Sequence, residues 1–249
     1  LRRSTDCVTP GCRRCESGGN VRGADGQSVE TASHAAGHRR ILWGVGTSRT
    51  IRAHWALHEL GLDYEIRPIL ARSGETQTPE FTAINPRQKI PALQDGDLVI
   101  TESAAIIVYL SDRYGTPGNA LLPADLTERA QTLEWCFFLV SEIDATALYV
   151  MRRHFGLPHI YGEAPVALTA AADYFKRQMG QVERSLADER PYLMGDRFTA
   201  ADILLSTCIT WAINYKLDVA EQVRTYNGRM TTRPAFVAAS ARNAAPPAA

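Results

Sequence analysis

Residues 85–103 read NPRQKIPALQDGDLVITES. Asn85-Pro86 stops whatever helix precedes it, because a proline disfavours the α region in the residue before it. Pro91-Ala92-Leu93-Gln94 and Leu98-Val99-Ile100-Thr101 then read as two short strands. Asp95-Gly96-Asp97 joins them, and Asp-Gly is a strong hairpin signal. Glu102-Ser103 opens an apolar helix that runs to Tyr114. Ile107, Leu110 and Tyr114 share one of its faces, with Ile106 beside them. A helix start beside a proline-led strand offers free main-chain groups and partial positive charge. The stretch therefore reads as a built pocket for a small anionic peptide.

Working back from Asn85, the short apolar run from Ile41 to Val45, ILWGV, is of strand type. Gly46-Thr47-Ser48 follows, then a helix from about Arg49 to Leu60. Ala53, Ala56, Leu57 and Leu60 fall on one face, Ile51 and Trp55 on another. A helix apolar on two faces packs between other elements. Gly61 ends it. LDYEIRPIL reads as a second strand, parallel to the first through this crossover. Thr78-Pro79 starts a short helix, with Thr78 as N-cap and Pro79 at the first helical position. The order βαβ, helix, ββ, helix predicts an α/β domain over 41–116.

Thr116-Pro117-Gly118-Asn119 and Leu122-Pro123 mark a linker over 117–124. Beyond it no strand signal occurs. Helices are predicted at about 125–155, 163–188, 199–213 and 217–227, with a short one near 232–241. Phe198-Thr199-Ala200-Ala201-Asp202-Ile203 carries a capping box, Thr199 with Asp202, between staple residues Phe198 and Ile203. This predicts an all-helical domain over 125–241 and a frayed tail over 242–249.

Residues 1–40 are rich in Gly, Ser, Arg and Ala and show neither period, so a disordered arm is expected there. Cys7, Cys12 and Cys15 lie in it without a second Cys pair, so no metal site is expected. The arm lacks the apolar segment of a secretory signal. Cys136 and Cys208 sit in apolar surroundings, and the odd total of 5 cysteines is not a disulfide framework. A reducing, cytoplasmic setting is expected. Lys plus Arg is 27 and Asp plus Glu is 27, in a chain of 249 residues. That balance gives no ground for nucleic acid or an anionic membrane as partner. No apolar run is long enough to cross a bilayer.

The segments SRTIRAHWALHELGLDYE, NPRQKIPALQDGD and ITESAAIIVYL, in this order and followed by a capped helical domain, resemble the cytosolic glutathione S-transferase family. The resemblance spans about 41–241. It implies an α/β thioredoxin-like N-terminal domain (βαβαββα), an all-α helical domain and a homodimer. It implies glutathione as co-substrate, a hydrophobic electrophilic second substrate, and no metal. By resemblance the Ile90-Pro91 bond is cis, freeing the Ile90 main chain to pair with the cysteinyl unit of glutathione as an added strand. Ser103 would hold the γ-glutamyl carboxylate, Glu102 its ammonium, and Lys89 the glycyl carboxylate. Gln88 stands where many relatives have Gly.

Such an enzyme must ionise a thiol whose free pKa is about 8.5. A hydroxyl aimed at the sulfur stabilises the anion. Thr47, Ser48 and Thr50 are the candidates in the loop after the first strand. Ser48 is favoured, because it precedes Arg52 by four positions, as in the serine-using fungal and bacterial branch that Ser48-Arg49-Thr50-Ile51-Arg52 resembles. The loop has neither the Tyr nor the Cys of other branches. Tyr149, Arg152, Arg153, Phe155, Trp211 and Tyr215 would line the side of the second substrate, with Arg152-Arg153 either favouring an anion or simply solvated. The expected function is activation of glutathione for attack on an electrophile. The alternatives are peroxide reduction, dehalogenation or ether cleavage at the same site, or a non-catalytic binding protein on the same fold.

Overall fold

The computed structural model describes residues 39–244. The arm with Cys7, Cys12 and Cys15, and most of the expected tail, lie outside the described residues.

Four strands form one mixed sheet in the order β2-β1-β3-β4. β1 (Arg40–Trp43) runs parallel to β2 (Glu65–Arg67), with Leu42 opposite Ile66. It runs antiparallel to β3 (Ala92–Asp95), with Leu42 opposite Leu93. β3 and β4 (Leu98–Thr101) form the hairpin turned by Gly96, whose φ of 60° suits glycine. β1 begins at Arg40, one residue before the expected boundary. The first strand also stops earlier than the apolar run ILWGV suggested. Gly44 has φ +105°, outside the strand region, so β1 ends at Trp43. The peptides beyond still bond across, Gly44 N–H to Arg67 O at 2.9 Å and Val45 N–H to Ile69 O at 3.1 Å.

α1 (Thr50–Glu59) crosses from β1 to β2. Ala53, Trp55, Ala56 and Leu57 are fully buried, as the two-faced apolar pattern predicts. Arg52 and His54 are buried too, which no hydrophobic pattern reveals. A 3₁₀ turn at Glu75–Gln77 leads into α2 (Pro79–Ile84), where Thr78 Oγ1 accepts from the Phe81 N–H as the N-cap reading required. α3 (Ser103–Tyr114) buries Ile106, Ile107 and Leu110.

The rest is helical. α4 (Leu126–Phe138) starts on an Asp125 cap and continues through π-helical turns at Leu139–Leu148, α5 (Tyr149–Met151) and further π turns at Arg152–Gly156. Such wide turns recur at functional sites, and this one faces the sheet domain. α6 (Pro158–Tyr161), α7 (Pro165–Ser185), α8 (Ala200–Asn214), α9 (Glu221–Thr231) and α10 (Pro234–Asn243) complete the chain. The expected capping box opens α8: the Asp202 carboxylate accepts from the Thr199 N–H at 2.7 Å. The same carboxylate accepts from the Leu193 N–H at 2.7 Å and the Tyr226 hydroxyl at 2.6 Å, so this cap is also a buried tie between loops. One apolar core spans both layers, from Leu42 and Trp55 to Leu204 and Tyr226. Arg233 locks α10 to α1 through two bonds to Glu59, at 2.7 and 2.8 Å.

Candidate active site

The loop before β3 is built around Asn85, which is almost fully buried. Its amide Nδ2 donates to Lys89 O at 2.7 Å and its Oδ1 accepts from Arg87 N–H at 3.1 Å. The side chain thus replaces the main-chain partners that a turn of this shape lacks. Gln88 takes φ 54°, a left-handed value that glycine adopts without cost. The Ile90–Pro91 peptide bond is cis. Among the described residues, no hydrogen bond uses the Ile90 main chain. An unpaired strand edge of this kind accepts an extended peptide.

Across the cleft, Ser103 occupies the first position of α3 and is buried. The first N–H groups of a helix have no partner within it, and here they lie at a cleft wall. Glu102 precedes them with φ 69° and ψ 115°, a strained conformation for a residue with a side chain. Its carboxylate is exposed and pairs with Arg87 at 3.2 Å. Lys89, Ile90, Pro91, Glu102 and Ser103 line one cleft of about 690 Å³, together with Arg49, Asp144 and Tyr149. The structure therefore brings together five of the six residues singled out from sequence.

It does not bring Ser48 to them. Ser48 lines a separate cavity with Thr47, Ile51, Thr210, Phe236 and Asn243. The capping role falls to its neighbour. Thr47 Oγ1 accepts from the Arg49 N–H at 3.3 Å and the Thr50 N–H at 3.0 Å. With the chain turned by those bonds, Thr47 reaches a smaller cavity beside Lys89 and Ile90, and Ser48 does not. Thr47 borders both cavities and Ser48 only the one away from Ile90, a difference between adjacent residues that spacing from Arg52 cannot reveal.

Thr50 is fully buried, and its hydroxyl donates to Thr47 O at 2.9 Å or to Asn243 Oδ1 at 2.6 Å. It therefore cannot serve as a donor to a ligand. Having a single proton, it acts as acceptor in its 3.0 Å contact with Thr47 Oγ1. The Thr47 proton is left to donate, to Thr50 Oγ1 or, by rotation about Cβ–Oγ1, elsewhere.

Two arginines and one carboxylate form the floor. Arg52 lies 2.7 Å from Asp144 Oδ2, with both side chains buried. Arg52 also donates to Thr207 Oγ1 at 2.8 Å and Ser103 Oγ at 3.4 Å. Arg49 Nε donates to Asp144 Oδ1 at 3.1 Å, and its guanidinium stacks over the Tyr149 ring at 4.5 Å. Burial opposes the charge on Asp144, but Arg52 and Arg49 outweigh it and hold the carboxyl below the usual carboxylate range. One carboxylate facing two guanidiniums leaves the floor net positive. Sequence reading missed Asn85, Arg49 and Asp144 as site-forming residues. Asn85-Pro86 carried a turn signal, but Asp144, on the π-helical stretch, carried none beyond a charge in an apolar run.

The weaker candidates separate. Tyr149 and Arg152 line the cavity beside Ile90, and Tyr149 and Arg153 line the main cleft. Phe155, Trp211 and Tyr215 line neither; Phe155 and Trp211 pack against Tyr215, with centroids at 5.9 and 6.1 Å. Among the described residues, no three His, Cys, Asp or Glu side chains cluster as metal ligands would.

A thioredoxin-like sheet domain, a cis-proline edge facing a helix N-terminus and a helical domain closing the cleft define a class of thiol-handling enzymes. The comparisons give the family. Residues 40–112 match the family description "Glutathione S-transferase, N-terminal domain" and residues 165–239 match "Glutathione S-transferase, C-terminal domain". Glutathione S-transferase 3 of Zea mays is 35% identical over 164 residues, 65% of this chain and 72% of the relative. A glutathione transferase structure from Methylococcus capsulatus superposes with TM-score 0.70 at 30% identity, over 82% of this chain and 98% of that one. A theta class glutathione S-transferase from Xanthomonas axonopodis pv. citri, solved with glutathione bound, gives TM-score 0.68 at 27% identity, over 80% and 95%. The chain belongs to the cytosolic glutathione S-transferase family and is a glutathione S-transferase enzyme.

Proposed function

We propose that the cleft binds glutathione along β3 and that the Thr47–Arg49 turn stabilises its thiolate for attack on an electrophilic small molecule. The observation that carries this reading is the single cleft joining the unbonded Ile90 main chain, the α3 N-terminus at Ser103 and the Arg49 guanidinium. Ile90, beside Pro91, pairs with the cysteinyl unit. Ser103 and the first N–H groups of α3 take the γ-glutamyl carboxylate, Glu102 the ammonium, and Lys89 the glycyl carboxylate. Thr47 takes the place that the resemblance gave to Ser48, because it borders the cavity beside Ile90 and its hydroxyl proton can turn from Thr50 to a ligand sulfur.

Each unit of thiol pKa lowering requires about 1.4 kcal/mol of preference for the anion. One charge-assisted hydrogen bond supplies that, and a nearby guanidinium adds to it. In the reaction the sulfur lone pair forms the new S–C bond, the leaving group departs with the old bond pair, and the thiol proton passes to solvent. Peroxide reduction, dehalogenation and ether cleavage use the same thiolate; a screen of electrophile classes separates them. The reading includes domains at 41–116 and 125–241, a reducing cytoplasmic setting and a homodimer. The exposed apolar Leu126 and Phe137, three turns apart on α4, support a dimer face. Sedimentation tests that part.

The decisive experiment follows conjugation of an aryl halide by the unaltered enzyme, Thr47→Val and Ser48→Ala, with the thiolate absorbance of bound glutathione titrated against pH. Thr47→Val is expected to raise the bound thiol pKa and lower kcat, with Ser48→Ala close to the unaltered enzyme. The opposite pattern returns the role to Ser48.

A further inference from the structure

The small cavity beside Ile90 is lined by Arg49, Arg72, Lys89 and Arg152, with Thr47, Tyr149 and Tyr161 among its other walls, and no carboxylate lines it. Four cations around one cavity is an unusual charge load for a site meant for an apolar guest. Of the four, Arg49 alone has a carboxylate partner, Asp144, and shares it with Arg52. Among the described residues, neither Arg72 nor Arg152 has an ion pair or a hydrogen-bonded side-chain partner. Glutathione, bound as proposed above, brings one carboxylate to this end, and Lys89 answers it. Arg72, exposed at the cavity mouth, and Arg152, half-buried, then remain without an anionic partner.

Arg152 is half-buried on the π-helical turn, within cation–π reach of Trp211 at 6.0 Å. Burial, and then the neighbouring charges of Arg72 and Arg49, push its pKa down. A half-buried charge has lost part of its hydration, which an anionic ligand group can replace. Tyr149 and Tyr161 offer ring faces and edges next to it, so the guest has an apolar body and an anionic end.

We propose that the second substrate of this enzyme is an electrophile carrying a carboxylate, which Arg152 and Arg72 hold while the glutathione sulfur attacks. The inference rests on the transferase reading and narrows it. For an aryl chloride the step is complete as written: the S–C bond forms, the C–Cl bond breaks, chloride leaves with the electron pair, and the thiol proton goes to solvent. Arg152 positions the guest and takes no part in bond making.

The test compares 4-chloro-3-nitrobenzoate with its methyl ester. For each, kcat/KM is divided by the uncatalysed rate constant with glutathione, which removes their different intrinsic reactivity. Glutathione binding is measured separately by calorimetry. The acid is expected to exceed the ester by about ten-fold or more, roughly the worth of one charge-assisted contact. Its advantage should shrink at about 1 M salt, where screening acts within about 3 Å. Arg152→Glu should cut the acid-to-ester ratio at least ten-fold through KM, and Arg152→Lys should restore most of it. An ester enhanced as much as the acid overturns the inference and leaves the transferase reading standing. Glutathione bound but neither compound conjugated also overturns it. No glutathione bound at millimolar concentration overturns the transferase reading and the inference with it.

Discussion

Arg52 on α1 and Asp144 on the π-helical stretch after α4 meet at 2.7 Å, each with side-chain exposure of 2% or less, and join the sheet domain to the helical one. Arg52 continues to Ser103 and Thr207, so one guanidinium touches the cleft, α3 and α8. Removing one partner of a buried pair leaves the other charge uncompensated, at a cost of about 3–5 kcal/mol. Asp144→Ala is therefore expected to lower the unfolding free energy measured in urea by that amount and to weaken glutathione binding through Ser103. The unaltered protein should also lose stability in acid. The Asp144 pKa is depressed on folding, so its contribution is present above about pH 4 and is lost as pH falls through the folded value. A variant no less stable than its parent would show that the pair contributes nothing net.

Gly44 and Ile90 give the next expectation. A Cβ on Gly44 would lie 2.5 Å from the Ile90 Cβ, closer than side chains pack, and Gly44 has φ +105°. Gly44→Ala therefore both strains the backbone and pushes on Ile90, whose main chain is proposed to pair with glutathione. Each effect costs about 1–3 kcal/mol. The midpoint of unfolding should drop accordingly, and calorimetry should show weaker glutathione binding in the protein that remains folded. Unchanged binding would mean that Ile90 yields without disturbing the cleft.

The parts of this fold carried by period and punctuation were readable in the sequence. Asp95-Gly96-Asp97, Thr78-Pro79 and Thr199 with Asp202 stand where local chemistry puts them, since each depends on residues within a few positions. That Lys89 to Pro91 and Glu102-Ser103 come together in one cleft was readable for the same reason, since they are short contiguous motifs. The turn after the first strand was not. Whether Thr47 or Ser48 borders the cavity beside Ile90 depends on bonds to Thr50 and, 193 residues away, from Thr50 to Asn243. Asp144 likewise owes its role to Arg49 and Arg52, about 95 residues earlier in the chain. Long-range pairs of this kind leave no local pattern.

His54 predicts a second pH effect of the opposite chemical type. It is fully buried, its Nδ1 lies 2.8 Å from the Tyr64 hydroxyl, and its Nε2 lies 3.3 Å from Gly44 O. These contacts suit a neutral ring, with Nε2–H donating to the carbonyl and Nδ1 accepting from Tyr64. Burial pushes its pKa down to about 4. The unfolded chain takes up the proton near pH 6.5 and the folded protein does not, so stability is full above about 6.5 and declines as pH falls toward 4. The loss over that window should be about 3 kcal/mol. His54→Gln keeps a donor for Gly44 O and cannot titrate, so most of the slope between those limits should go, and the remainder comes from groups such as His58, whose pKa burial also lowers. Equal slopes in both proteins would assign the acid sensitivity elsewhere.

Among the described residues, Cys136 and Cys208 bear on the proposal that the reacting sulfur arrives with the ligand. Both are buried and unpaired, and burial pushes each thiol up to about 12. Cys208 has the Arg52 guanidinium 3.3 Å away, an arrangement that lowers a thiol pKa when solvent can reach it. Here desolvation outweighs that neighbour, because no room is left to hydrate a thiolate. A thiol held protonated and out of contact with solvent neither attacks nor is attacked. Native protein treated with iodoacetamide near neutral pH should therefore leave the peptides containing Cys136 and Cys208 unmodified in mass spectra, and conjugating activity should survive. The same treatment in guanidinium should label both. Rapid native labelling of either, with parallel loss of activity, would place a protein thiol in the chemistry and remove glutathione as the sole nucleophile.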